Sequence, residues 1–367
     1  MADPHLAHGK FVLEESAVGA KGLNGVNGVY GRLYRDCERV LVSRRWARKP
    51  YVVLGACGMH GALEIGGLAS IIGGMGGDEF LEWRRRLKGA GGVSIGAFIT
   101  TLIALGMDLT TISAVYKNFP FDVIFKDDAA AALTSITGIE SLSQTSGIMT
   151  GASLRTAVYA AFKLLGIRLE TTFEDLARAA EPGTEPFDLR ILATDILNLR
   201  AVVFSARTTP KVPLIDAVVA SMSIPAMFRP TTIPGHGIFV DGGVVDPFGL
   251  DLFPDQTEKQ QVLYIIKLNN IEPENRAFSM PQVLNACLSV RSNYYLGRQP
   301  HLKRIDVMPQ FAGAHHARDE TEMHNPFHVF DLPNVTELVL DGCVSVESSV
   351  LLFCILAMAI TRIASRA

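Results

Sequence analysis

A serine lies between two glycines in Gly92-Val-Ser94-Ile-Gly96, after an apolar approach and just ahead of the apolar run 97–105. A G-x-S-x-G sequence between a strand and a helix has the form of a nucleophile elbow, a sharp turn that projects the hydroxyl beside a helix N-terminus. The plainer alternative is a serine capping an ordinary helix. A serine hydroxyl attacks an ester poorly unless a base takes its proton. Asp241 is the leading base: it ends the short predicted strand 237–240 and is followed by Gly242 and Gly243. A carboxylate there can face a cleft rather than the core. Asp195 also follows a predicted strand but has no glycines around it, and a structural role is expected.

Attack on a carbonyl builds negative charge that needs positioned N–H donors. The loop Gly55-Ala-Cys57-Gly58-Met59-His60-Gly61 offers them, with Cys57, Gly58 and Met59 as the donor positions. It has neither the G-x-x-x-x-G-K-[ST] sequence of a phosphate loop nor a sound G-x-G-x-x-G pattern, so nucleotide binding is not expected.

The elements that must hold these residues follow from pattern. Tyr51-Val-Val-Leu54 reads as a strand, the glycine loop as a tight turn, and residues 62–72 as a helix. Arg84-Arg-Arg86 reads as an exposed helix end. Thr171-Thr-Phe-Glu174 reads as a helix start with Glu three positions on. Residues 188–194 and 201–204 read as paired strands, 213–222 as a helix, 262–268 as a strand and 284–295 as a helix. Strands and helices in this order indicate an α/β sheet with helices on both faces.

Four segments together resemble the patatin-like phospholipases: G-A-C-G-M-H-G at 55–61, G-V-S-I-G at 92–96, A-S-M-S-I-P-A-M-F-R-P at 220–230 and D-G-G at 241–243. The motif glycines are Gly55, Gly61, Gly92, Gly96, Gly242 and Gly243. The stretch 187–196 also fits that family's central strand, and the resemblance spans about residues 50–270. It implies a three-layer α/β/α domain with a central, mostly parallel sheet. It also implies a lipid acyl hydrolase with a Ser–Asp dyad of Ser94 and Asp241, needing no histidine and no cofactor. His60 stands where the family usually has a basic residue, and Val-Val-Asp246-Pro247 replaces its usual asparagine and proline after D-G-G.

Size and composition agree. The 367 residues, 48% hydrophobic, support a large core. A net charge of -3, with no nucleic-acid-binding motif, argues against a nucleic-acid partner. Five dispersed cysteines without a C-x-x-C pair favour a reducing compartment. No signal peptide is read at the start. The expected organisation is an arm at 1–49, basic near its end, a catalytic domain at 50–270, and an extension at 271–367 ending in an apolar helix. The basic stretch 31–49 and the apolar run 350–360 suggest peripheral membrane contact; the run is shorter than the ~17–25 residues of a spanning helix. His315, His316, His324 and His328 cluster with three acids but form no H-E-x-x-H, and no metal site is expected. Cytoplasmic placement at a membrane or lipid droplet is the expectation. Two rivals stay open: a non-catalytic membrane-associated scaffold that keeps the fold, and an esterase whose triad is completed by one of those histidines. Head-group preference and oligomeric state are not legible.

Overall fold

In the computed structural model, residues 49–121, 123–124, 147–180, 185–255, 261–267 and 304–307 are described. The basic arm, the helix expected at 284–295, the histidine cluster and the C-terminal apolar run lie outside these residues.

Strand β1 (Tyr51–Leu54) alternates its side chains between two cores. Val52 and Leu54 enter one, and Val53 enters the other. The same alternation recurs in β2 (Gly89–Val93), β4 (Asp188–Asp195) and β9 (Val262–Lys267). Ala90, Ile191 and Ile265 face the first core, whereas Val93, Leu192 and Tyr264 face the second. Strands buried on both faces are the mark of a parallel sheet. With β10 (Arg304–Val307), β9, β1, β2 and β4 indeed pair in parallel.

Three antiparallel strands complete the sheet: β5 (Arg200–Phe204), β7 (Thr231–Ile233) and β8 (Gly237–Asp241). The path is β10-β9-β1-β2-β4-β8-β7, with β5 on β4. A short parallel pair, β3 (Gly147–Met149) and β6 (Ala226–Phe228), stands apart.

Helices cover the first face: α1 (Gly61–Ile72), α2 (Gly77–Arg86), α3 (Ile95–Ala104), α4 (Leu109–Lys117), α5 (Ala152–Leu164), α6 (Phe173–Arg178) and α7 (Leu214–Ser221). All ten residues of α3 are buried, which is why its sequence is apolar all round. Among the described residues, the second face is covered by Phe248, Leu250, Leu252 and Phe253. The result is a mixed α/β fold with a central sheet flanked by helices.

Two sequence readings need correction. Arg84 is not exposed at its helix end. Its guanidinium turns inward, donates to the carbonyls of Ile103 and Ala104 at 3.0 Å each, and lies 4.0 Å over the Phe187 ring. It thereby satisfies carbonyls at the C-terminus of α3, and burial lowers its pKa to about 10. The cap of α6 is Thr172 rather than Thr171. The Thr172 hydroxyl accepts from Asp175 N–H at 3.1 Å, and the Asp175 carboxylate accepts from Thr172 N–H at 3.0 Å. Asp serves at the third position as readily as Glu, so the box slides by one residue.

Candidate active site

One edge of β4 brings the site together. Its first half pairs with β2, ending at Val93 opposite Leu192. Its last three residues pair with β8, where Asp241 stands opposite Ala193. The other edge of β4 is taken by β5, which pairs residues 191–195. Strands β2 and β8 therefore run toward each other along one edge and stop at adjacent positions. Ser94 leaves the end of β2 where Asp241 ends β8.

Ser94 adopts φ 57 and ψ −126 between β2 and α3. For a residue other than glycine this conformation costs on the order of 1–3 kcal/mol and survives only where its surroundings enforce it. Close packing does so here. A Cβ on Gly92 would lie 2.4 Å from the Gly96 carbonyl oxygen, and one on Gly96 would lie 2.4 Å from that of Leu54. Neither flanking position admits a side chain. The Ser94 N–H donates to Ser221 Oγ at 2.8 Å, and Ser221 Oγ donates to the Leu192 carbonyl at 2.6 Å.

Asp241 is held at three points. Its N–H donates to the Ser223 carbonyl at 2.8 Å, its carbonyl accepts from Thr194 Oγ1 at 2.9 Å, and its Oδ1 accepts from Gly243 N–H at 2.7 Å. Its Oδ2 is buried and makes no bond of full hydrogen-bond geometry. Burial pushes the carboxyl up to about 6, against the opposing pull of the Ser94 hydroxyl and the Gly243 N–H. Ser94 and Asp241 are each 5% exposed, so the pair lies in a nearly dry setting. Loose hydrogen bonds between such partners are common before substrate binds.

The glycine loop lies against both. The Ala56 side chain borders Gly243, and Gly61 packs against Ile95 and Ile99 of α3. Gly58, Met59 and His60 form a single 3₁₀ turn that feeds α1. Gly58 has φ 55, a left-handed conformation that suits glycine. Cys57 is buried, Gly58 is exposed and His60 is half-buried.

Several braces of this loop escaped the sequence reading. Gly55 N–H donates to Glu64 Oε1 at 3.0 Å, and Gly61 N–H donates to the Tyr116 hydroxyl at 3.1 Å. Both side chains are fully buried, and burial raises the Tyr116 hydroxyl well above its ordinary pKa. The signal for Glu64 was its place inside the apolar helix G-A-L-E-I-G-G-L, since a buried acid needs a polar partner. Ala56 N–H donates to the Pro247 carbonyl at 2.6 Å. Asp246 shapes that segment by accepting from Phe248 N–H and Asp251 N–H. The departure at Asp246-Pro247 thus bears on the glycine loop. Asp195 proves structural, as expected: it accepts from the N–H groups of Leu197 and Asn198 in the β4–β5 turn.

The family model described as patatin-like phospholipase matches residues 52–254, more than half of the chain. An uncharacterized protein of Acanthamoeba polyphaga mimivirus is 23% identical over 208 residues, which are 57% of this chain and 62% of that one. The chain thus spans about 62% of that relative's length. Among solved structures, VipD from Legionella pneumophila matches with a TM-score of 0.46 and 14% identity, over 83% of this chain and 67% of that one. Full-length ExoU from the type III secretion system of Pseudomonas aeruginosa, solved with SpcU, matches with a TM-score of 0.33 and 17% identity, over 80% of this chain and 52% of that one. On the extent of the family match, the chain belongs to the patatin-like phospholipase family.

Proposed function

We propose that the chain hydrolyses lipid acyl esters, of phospholipid or acylglycerol type, through an acyl-enzyme on Ser94. The observation that carries this reading is the meeting of β2 and β8 on one edge of β4, which sets a strained serine beside a buried carboxyl.

The steps balance on this chain's own groups. Ser94 Oγ bonds to the ester carbonyl carbon as Asp241 takes the hydroxyl proton. The carbonyl oxygen gains negative charge, and the N–H groups of Cys57, Gly58 and Met59 receive it. Collapse breaks the ester C–O bond, and Asp241 returns its proton to the leaving alcohol. Water then attacks the acyl-enzyme and gives a proton to Asp241; the bond from the acyl carbon to Ser94 Oγ breaks, Asp241 returns that proton to Oγ, and the fatty acid leaves. An aspartate titrating near 3.9 is a poor base for a serine; one raised to about 6 is better matched.

The rival scaffold reading leaves the strain at Ser94 and the buried carboxyl of Asp241 without a use. The test is the rate on one soluble ester. Ser94→Ala should abolish turnover in a folded protein. Asp241→Asn should slow it by at least about 100-fold, the scale of positioned general-base catalysis. Near-normal rates in the purified Ser94→Ala variant would end the assignment. A His315→Gln or His316→Gln loss equal to that of Asp241→Asn would replace the dyad with a triad.

A further inference from the structure

The turn between β4 and β5 carries apolar side chains that hydrolysis does not use. Ile196, Leu197 and Leu199 are 40%, 66% and 88% exposed. A single exposed apolar residue is ordinary, but these are three within four positions on one turn. Leu199 also holds φ 54, a left-handed conformation in which glycine or asparagine is the usual occupant. A leucine there bears strain while almost its whole surface stays outside the protein. The turn is braced from within. Asp195 accepts from Leu197 N–H at 3.0 Å, Asn198 N–H at 3.1 Å and Asn198 Nδ2 at 2.8 Å. It is a built projection that presents leucine.

Its position links it to the site. Strand β4 passes Ala193, opposite Asp241, and ends two residues later, about 7 Å further on at strand spacing. It runs in the direction in which Ser94 leaves β2, because β2 and β4 are parallel. The turn between β7 and β8 is alongside, tied by Ile196 N–H to the Ile238 carbonyl at 3.0 Å, and Pro234 and His236 are exposed on it. Apart from buried Asp195, neither turn has an acidic residue, and the Arg200 side chain, whose Nε lies 3.4 Å from Asp195 Oδ2, is still 63% exposed at the tip's edge. Three apolar side chains fall far below the roughly 800 Å² per partner of a stable protein interface. They suit insertion by the ~5–10 Å that an interfacial element reaches into a bilayer, with a cation at head-group level.

We infer that the β4–β5 turn, through Ile196, Leu197 and Leu199, inserts into a phospholipid bilayer surface and sets the Ser94–Asp241 end of the sheet against it. The shared end of the sheet gains its meaning from the lipid hydrolase reading; the insertion itself is measurable without it.

The experiment uses the full chain with vesicles of phosphatidylcholine and phosphatidylserine, in a Ser94→Ala background so that lipid is not consumed. Leu197→Ser with Leu199→Asn should weaken vesicle binding at least about tenfold, since each buried leucine is worth that factor or more. Asparagine tolerates the left-handed conformation, so the fold should be kept. With Ser94 restored, the double variant should hydrolyse a soluble monomeric ester at the unmutated rate. In a separate variant, Leu199→Trp, the introduced indole should shift to the blue on vesicles and be quenched by brominated acyl chains. Equal vesicle binding by the double variant, or an indole that neither shifts nor is quenched, would overturn the inference. So would loss of self-association with vesicle binding unchanged, which would make the tip a contact between copies. The two readings fail separately. Ester turnover with tip-independent binding sinks only the insertion, and tip-dependent binding without ester turnover sinks only the hydrolase.

Discussion

The backbone N–H of Ser94 is held by the hydroxyl of Ser221, 127 positions away, at 2.8 Å. Ser221 in turn donates to Leu192, the β4 residue facing Val93. One hydroxyl thus links the elbow, helix α7 and the central strand at the point where Ser94 holds its positive φ. Ser221→Ala leaves a buried N–H and a carbonyl without that partner, a loss of about 1–3 kcal/mol in stability. The turnover number should fall about tenfold or more, with KM little changed, because the hydroxyl touches no substrate. Urea denaturation together with steady-state kinetics checks both. Unchanged stability and unchanged kcat would show that packing alone holds the elbow.

A second expectation concerns pH. Asp241 must be ionised to accept a proton, and burial raises its pKa to about 6. The value of kcat/KM should therefore climb as pH rises through about 6 and level off above it. Stability runs the opposite way. A carboxyl whose folded pKa is raised favours the folded state below its unfolded value of 3.8, and that contribution is lost as pH rises through about 6. Asp241→Asn should thus gain stability relative to the unmutated chain as pH rises from about 4 to about 7, by on the order of 3 kcal/mol at the upper end. Thermal melts across this range test it. A pH-independent difference would mean that the carboxyl is not carrying a buried charge.

Glu64 supports a third. Its Oε1 accepts the Gly55 N–H, and this holds the start of the loop that carries the proposed donor positions. Glu64→Gln keeps an acceptor oxygen and should retain most activity. Glu64→Leu removes it and should lower kcat by about tenfold or more, at a stability cost of about 1–3 kcal/mol. Comparing the two variants on one soluble ester separates the hydrogen bond from the packing. Equal activity in both would remove Glu64 from the positioning of the loop.

Gly96 supports a fourth. A Cβ there would lie 2.4 Å from the Leu54 carbonyl oxygen and 2.5 Å from that of Gly55, both fixed backbone. Gly96→Ala should force β1 and α3 apart and cost about 1–3 kcal/mol or more. A variant that melts like the unmutated chain would show that the elbow does not require this approach.

The parts of the site legible in sequence are those whose constraint is local. Gly92, Ser94 and Gly96 announce a turn that only small neighbours permit, and Asp241 announces itself by ending a strand before two glycines. The strands and helices around them followed from apolar runs bounded by glycines and turn residues. What stayed hidden depends on pairing across long separations. Ser221 and Thr194 lie in segments that carry the family resemblance, but their side-chain roles show only once β4 brings them beside Leu192 and Asp241. Pro247 contributes only a carbonyl, which no side-chain pattern reveals. Arg84 read as exposed because three arginines in a row suit a solvated helix end; nothing nearby in sequence told of the α3 carbonyls it caps.

The most direct measurement of the central claim is covalent labelling by a fluorophosphonate, which reacts with an activated serine and leaves its phosphorus on that oxygen. Mass spectrometry of the digested full chain should place the adduct on Ser94. Asp241→Asn should slow labelling by at least about 100-fold, and Ser94→Ala should abolish it. An adduct on another serine, or no adduct on a folded chain under conditions that label a known serine esterase, would contradict the account.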